Sequence, residues 1–421
     1  MSDDSSQGRD DKTSLQWHFA LIPLNMAIGS AGVLSTLVAL SLGAKVADIG
    51  VMTAAGAVAT IILSIGWGRL SDYSGTRKNY LLFLFAGLGP VFLALSIINS
   101  VPHLIVFYIL INCFSSGISP IGVMYTVESL KGKNWQRNVA RYNSMASVGN
   151  IVGLALNTAI SQYLQTRWLF YTSSAMCFLA AYILWKTGQE PQITLERHHF
   201  SVRSFHEMEK LLSPRPVLHY VNLRRIGIPR NLTKLKPLHL LFLASFIHWT
   251  GILFFGVGQT PLMRDLNLSD SMILAVNATT SVASAAAFSW IAPHVKSNNR
   301  KWLRNVVSVR VGLIICWAVL PIFTLRPISS VYLFPLVFSI VFSIFYSLIW
   351  LPISTFAISQ APPGHSGSVQ GELQSAIGVG NAIGSYVGGL TITAIGYSAG
   401  FIIAAAIAAL AIPVLAKIDM T

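Results

Sequence analysis

Charge is what this sequence has least of. Only 10% of its 421 residues are charged, while 53% are hydrophobic; soluble domains carry about 25% charged residues. So little charge cannot cover a water-exposed surface, which excludes a soluble globular protein and predicts a membrane protein. Cysteine is also rare. Cys113, Cys177 and Cys316 each lie inside an apolar run, which reads as core-packing thiols and argues against a disulfide framework or a metal site. The chain has no Gly-x4-Gly-Lys-Ser/Thr phosphate loop and no His-Glu-x-x-His. Gly378, Gly380 and Gly384 have the wrong spacing for a nucleotide loop and lie mid-helix. An ATP-driven pump is therefore disfavoured, an intramembrane enzyme lacks any paired catalytic groups, and no cofactor is expected. No cleavable signal peptide precedes the first apolar run, so that helix is expected to act as its own targeting signal.

What the chain does have is apolar length. A helix needs about 20 apolar residues to cross a bilayer. Twelve candidate spans fall at 17–40, 48–69, 80–98, 104–127, 142–163, 168–186, 238–258, 271–293, 305–324, 331–355, 371–392 and 400–417. The expected architecture is all-α and polytopic: a tail over 1–14, a six-helix bundle over 15–187, a central loop over 188–237 and a second six-helix bundle over 238–418. The loop is expected to carry one short amphipathic helix near Ser204–Leu212 lying on the inner leaflet, or to be a solvated linker. Of the 29 Lys and Arg residues, an even helix count puts 25 on the side of the termini and central loop. Only Lys45, Arg167, Arg264 and Arg326 fall on the other side. That asymmetry predicts both termini in the cytoplasm of the plasma membrane, and it explains the net charge of +14 without nucleic acid.

The halves repeat each other. Ser144-Met-Ala-Ser-Val148-Gly149-Asn150-Ile-Val-Gly153 in helix 5 returns as Ser375-Ala-Ile-Gly-Val379-Gly380-Asn381-Ala-Ile-Gly384 in helix 11. Pro120 stands eight residues before Glu128, as Pro352 stands eight before Gln360. Parallel six-helix repeats related by an axis along the membrane normal are one of the transporter architectures.

Between helices 2 and 3 lies a charged island, Gly68-Arg69-Leu70-Ser71-Asp72-Tyr73-Ser74-Gly75-Thr76-Arg77-Lys78. Gly68 and Gly75 are expected to turn the chain, while Asp72, Arg77 and Lys78 hold it out of the hydrocarbon. The island resembles the signature loop of the major facilitator superfamily of transporters, roughly Gly-x-Leu-Ala/Ser-Asp-x-x-Gly-x-Arg-Lys; Tyr73 departs from the family's usual Arg. The resemblance implies two six-helix bundles, a seam formed by helices 2, 5, 8 and 11, and a central cavity lined by helices 1, 4, 7 and 10. Small residues in the seam helices, among them Gly50, Gly149, Gly153, Gly380, Gly384, Gly388 and Gly389, fit close backbone approach. Asp72, Arg77, Glu128, Arg137 and Glu372 are expected to form a cytoplasmic latch across the halves.

The cavity candidates that follow are Asn25, Asn112, Tyr125, His248, Trp249, Gln259, Tyr346 and Trp350. Mid-membrane polar groups are costly unless paired or wet. His248 is the candidate for proton coupling, with a satisfied structural histidine as the competing reading. Arg310 is expected to snorkel to the inner face. With no buried ion partner in view, the lining suits a neutral sugar or nucleoside or an amphipathic molecule. The resulting expectation is a monomeric secondary transporter, coupled to H+ or another ion or running downhill. The alternative is a receptor or sensor that keeps the transporter fold without flux.

Overall fold

The computed structural model describes residues 16–129, 135–190, 237–291, 300–321, 333–360 and 366–418, apart from a few side chains at segment ends and that of Asp72. The central-loop expectations lie outside the described residues. Among the described residues the chain forms twelve long helices. In the first half, a 3-10 turn over Gln16–Ala20 runs into α1 (Leu21–Ser41), followed by α2 (Val46–Ser74), α3 (Arg77–Ile97), α4 (Val101–Ser115 and Ile118–Glu128), α5 (Trp135–Ile160) and α6 (Leu169–Thr187). In the second half come α7 (Pro237–Asp265), α8 (Asp270–Ala286, continuing as a π-turn over Ala287–Ile291), α9 (Arg300–Val319), α10 (Leu333–Ser359), α11 (Ser366–Ile395) and α12 (Tyr397–Ala409 and Ala411–Leu415).

Ten of these are long and apolar enough to cross a bilayer. The other two, α5 and α11, are the helices of the internal repeat. At 26 and 30 residues they are long enough to span, but Gly, Asn and Ser dilute their hydropathy. Those same residues perform their packing. A Cβ on Gly149 would lie 2.4 Å from the Ile22 carbonyl oxygen, and one on Gly153 2.4 Å from that of Met26. In the second half a Cβ on Gly380 would lie 2.7 Å from the Phe246 carbonyl oxygen, and one on Gly384 2.2 Å from that of Thr250. The repeat thus presses α5 onto α1 and α11 onto α7, both within a half. This corrects the expectation that these glycines form the seam.

The seam uses other small residues. A Cβ on Gly50 would meet Ser385 and Gly389 backbone at 2.6 and 2.9 Å, and one on Gly378 would meet the Ile61 side chain at 2.8 Å. So α2 lies along α11, and α5 lies along α8. Below, the basic face is the one carrying Arg77 and Lys78, and the far face is the opposite one. Each half has its own buried aromatic filling: Trp17, Phe85, Phe92 and Phe170 in the first, Phe254, Phe255, Trp317 and Phe401 in the second.

The charged island is mostly helix. α2 continues through Gly68 to Ser74, and a Cβ on Gly68 would meet nothing within 4 Å. The turn is made at Gly75, whose φ of +68° is strained for a residue with a side chain. Gly68 therefore does not turn the chain, as the sequence suggested it would.

Candidate functional site

At the basic face, α3 begins at Arg77 so close after Gly75 that its guanidinium reaches back into the first half. Arg77 Nε donates to Glu128 Oε2 at 2.6 Å and Nη2 to Oε1 at 2.8 Å, a fork-to-fork pair. Nη1 reaches Ser71 Oγ at 3.3 Å. The Lys78 backbone N–H donates to Glu190 Oε2 at 3.0 Å, and its Nζ to the Trp185 carbonyl at 3.3 Å. These bonds tie α2, α3, α4 and the end of α6 together inside the first half. Glu372, in the first turns of α11, is exposed. The side chains of Asp72 and Arg137 lie outside the described residues.

At the far face, two hydrogen bonds among the described residues join the halves. The Ala47 N–H donates to Thr393 Oγ1 at 2.9 Å, and the Thr166 hydroxyl donates to Asp270 Oδ2. Asp270, at the N-terminus of α8, is also ion-paired with Arg264, while Tyr397 donates to Asp265 at 2.7 Å. Sequence reasoning missed this clasp. The signal was present: Asp265 and Asp270 are acids on the side of the chain that holds almost no charge.

Between the halves lies a cavity of about 290 Å³. Ser147, Asn150 and Ile151 come from α5, Thr280, Ser281, Ser284 and Phe288 from α8, and Ser343 from α10. Phe288 stands on the π-turn, a distortion frequent at functional sites. The hydroxyls of Ser147, Thr280, Ser281 and Ser343 donate to backbone carbonyls, which leaves their lone pairs for an occupant. Asn150 Oδ1 and Asn381 Oδ1, equivalent positions of the repeat, are buried without a partner.

The sequence candidates fall in several places. Asn25 donates to its own helix at Leu21. Asn112 donates to the Tyr108 carbonyl at 2.8 Å and accepts from Thr60 of α2 at 3.3 Å. Tyr125 is fully buried; its hydroxyl donates to the Gln189 carbonyl at 2.6 Å, and its ring centroid is 4.8 Å from that of Trp17. Gln259 donates to Ser339 of α10 at 3.1 Å. His248, Trp249, Tyr346 and Trp350 form one cluster. Trp249 meets Trp350 edge-on at 6.1 Å, and Trp350 stacks on Tyr346 at 6.5 Å. Arg310 enters this cluster. It is 3% exposed, its Nη1 lies 3.3 Å from His248 Nε2, and its Cζ stands 4.2 Å over the Phe342 ring. The expectation of snorkelling is therefore corrected: Arg310 turns across the bundle instead of along α9, because two aromatic faces and a ring nitrogen lie there.

A family model described as the Major Facilitator Superfamily matches residues 19–371. The chain belongs to the major facilitator superfamily. It is accordingly a multi-pass membrane protein of a family of secondary transporters that bind small molecules, some of them coupled to H+. No curated protein matches it in sequence. Among solved structures it is similar to the nucleoside transporter NupG at 12% identity, TM-score 0.68, covering 96% of this chain and 98% of that one. It is also similar to a bacterial homologue of the human lysosomal transporter Spinster, inward-facing and occupied, at 13% identity, TM-score 0.67, covering 96% and 94%. A D-xylose–proton symporter matches at 13% identity, TM-score 0.68, covering 98% of each chain. At these identities the likeness concerns the superfamily fold, and solutes as different as a nucleoside and a pentose share it.

Proposed function

We propose that this superfamily member moves a small amphipathic organic solute across the plasma membrane by alternating access, with its basic face and both termini in the cytoplasm. The observation that carries the reading is the cavity's position. Its lining comes from α5 of the first half and from α8 and α10 of the second, so a rocking of the halves remakes the site at each step. The far-face clasp of Ala47, Thr393, Thr166 and Asp270 supports a state closed outward and accessible from the cytoplasm. The latch proposed for the opposite state pairs the island, with Arg77 and Asp72, against Glu372 once the halves close over the basic face. Arg137 and Glu128 belong to the same belt of charge.

His248 is the candidate carrier of a coupled proton. It lies about 16 Å into α7 by helical rise, which is mid-depth in a layer about 30 Å thick. Purified protein is screened by thermal shift against nucleosides, sugars and amphipathic aromatics. Binders are then followed into proteoliposomes with and without a pH gradient, in wild type and His248→Gln. Saturable uptake is expected, and gradient-driven accumulation is expected to be lost in H248Q. Binding with no flux in any condition would instead favour a receptor.

A further inference from the structure

Arg310 is a buried cation that no described carboxylate neutralises. It lies ten residues after Arg300, where α9 begins, and inside the apolar run that opens at 305. The described acids are engaged or placed elsewhere. Asp48 caps α2 at Lys45, Glu128 holds Arg77, Glu190 holds the α3 N-terminus, Asp265 accepts from Tyr397, and Asp270 holds Arg264. Glu372 is exposed at the basic end of α11. What surrounds Arg310 is the Phe342 ring at 4.2 Å, the Tyr346 ring at 5.6 Å and His248 Nε2 at 3.3 Å, and its Nε–H has no acceptor. Aromatic faces and a ring nitrogen soften the burial of a guanidinium without cancelling its charge. A net charge buried within a membrane bundle is costly, and such groups mark pathways.

The charge packs against α10, the helix that supplies Ser343 to the cavity. Phe342 and Tyr346 are one turn apart on α10 and flank Ser343, which lines the cavity. Tyr346 also meets Phe288, another lining residue, edge-on at 6.2 Å. The cavity hydroxyls described above already donate to the backbone, so they offer an occupant acceptors and cannot neutralise an anion. Positive potential at this wall therefore comes from Arg310, and low-dielectric walls focus such a field.

We propose that Arg310 is a specificity-determining residue that selects solutes bearing a carboxylate over matched neutral ones, the solute supplying the missing countercharge. This rests on the transport reading and narrows its amphipathic solute to an acidic one. Solute hydroxyl or N–H groups would face the serine lone pairs, and the acid group would face the Tyr346–Phe342 wall.

The test uses full-length protein in nanodiscs and matched acid and amide probes: benzoate with benzamide, phenylacetate with phenylacetamide, nicotinate with nicotinamide. Trp249 and Trp350 adjoin the cluster, so tryptophan fluorescence reports occupancy, with thermal shift as a second reading. In wild type at least one acid is expected to bind about tenfold more tightly than its amide. Arg310→Gln is expected to bring that ratio to about one, and Arg310→Lys, which keeps the charge, to leave it above one. A merely structural arginine would lower acid and amide binding alike in both variants. The proposal is overturned if no acid binds, if acids and amides bind equally in wild type, or if R310Q keeps the preference. A chloride titration without carboxylate separates an inorganic anion from the solute's own: the same fluorescence response to chloride alone would also overturn it. Should R310Q fail to fold, the wild-type ratio and R310K still decide. Acid-selective binding without flux would sink the transport reading and leave this one standing, whereas flux without acid preference would do the reverse.

Discussion

Neutralising Glu128 tests the basic-face architecture most directly. Arg77 is 3% exposed and Glu128 22% exposed, and the two are joined by a bidentate pair. Glu128→Gln keeps the shape of the side chain and one acceptor oxygen but removes the carboxylate charge that Arg77 Nε and Nη2 meet. Breaking a buried ion pair from one side costs about 3–5 kcal/mol. Partial exposure of Glu128 pulls the estimate down. The place of Arg77 in the first turn of α3, where the helix dipole disfavours a cation, pulls it up. A cost of about 3 kcal/mol follows, on the order of a hundredfold in the folding constant. Reversible unfolding in mixed micelles measures it. Removing both partners in Arg77→Met with Glu128→Gln is expected to recover part of the loss, because the buried guanidinium is removed along with the carboxylate. A single variant within about 0.5 kcal/mol of wild type would refute the reasoning, since that is the scale of ordinary surface changes. So would a double variant no better than the single.

Other expectations follow from packing. Gly384→Ala is expected to destabilise strongly or abolish folding, because its Cβ would sit 2.2 Å from the Thr250 carbonyl oxygen. Gly68→Ala, in open space within α2, is expected to be neutral or to stabilise by about 0.5–1 kcal/mol; thermal shift on the two variants together checks the contrast. Thr166→Val removes one cross-half hydrogen bond at the far face, worth about 1 kcal/mol, and so is expected to raise the outward-open population several-fold. Spin labels at Lys45 and Ser398 would report it as a larger share of long distances, and unchanged distance distributions would refute the clasp.

The twelve spans were legible because bilayer thickness demands long apolar runs. Gly75 and the pairing potential of Arg77 and Glu128 could also be read from residue types. The rotation of each helix about its axis could not. The same sequence of α9 can point Arg310 to lipid headgroups or to His248, and only the neighbouring helices choose between them. For the same reason Gly149 and Gly380 looked like seam residues although they press on α1 and α7. Asn112 and Gln259 were placed among cavity candidates by helix number, while Thr60 and Ser339, invisible as partners in one dimension, engage them in the fold. Gly68 misled because glycine serves turns and helices alike.

The meeting of Ile61 with Gly378 has a mechanical consequence. Ile61 stands 15 residues from the start of α2 and 13 from its end, so by helical rise it divides the helix into arms of about 22 and 20 Å. Were the halves to rock about that contact, α2 would be a lever with nearly equal arms. A tilt of roughly 10° about it would carry each end of α2 some 3–4 Å in opposite senses. Whatever gap opens at one face is then matched by a similar closure at the other, so the two exits of the path are geared together without any element dedicated to keeping them from opening at once.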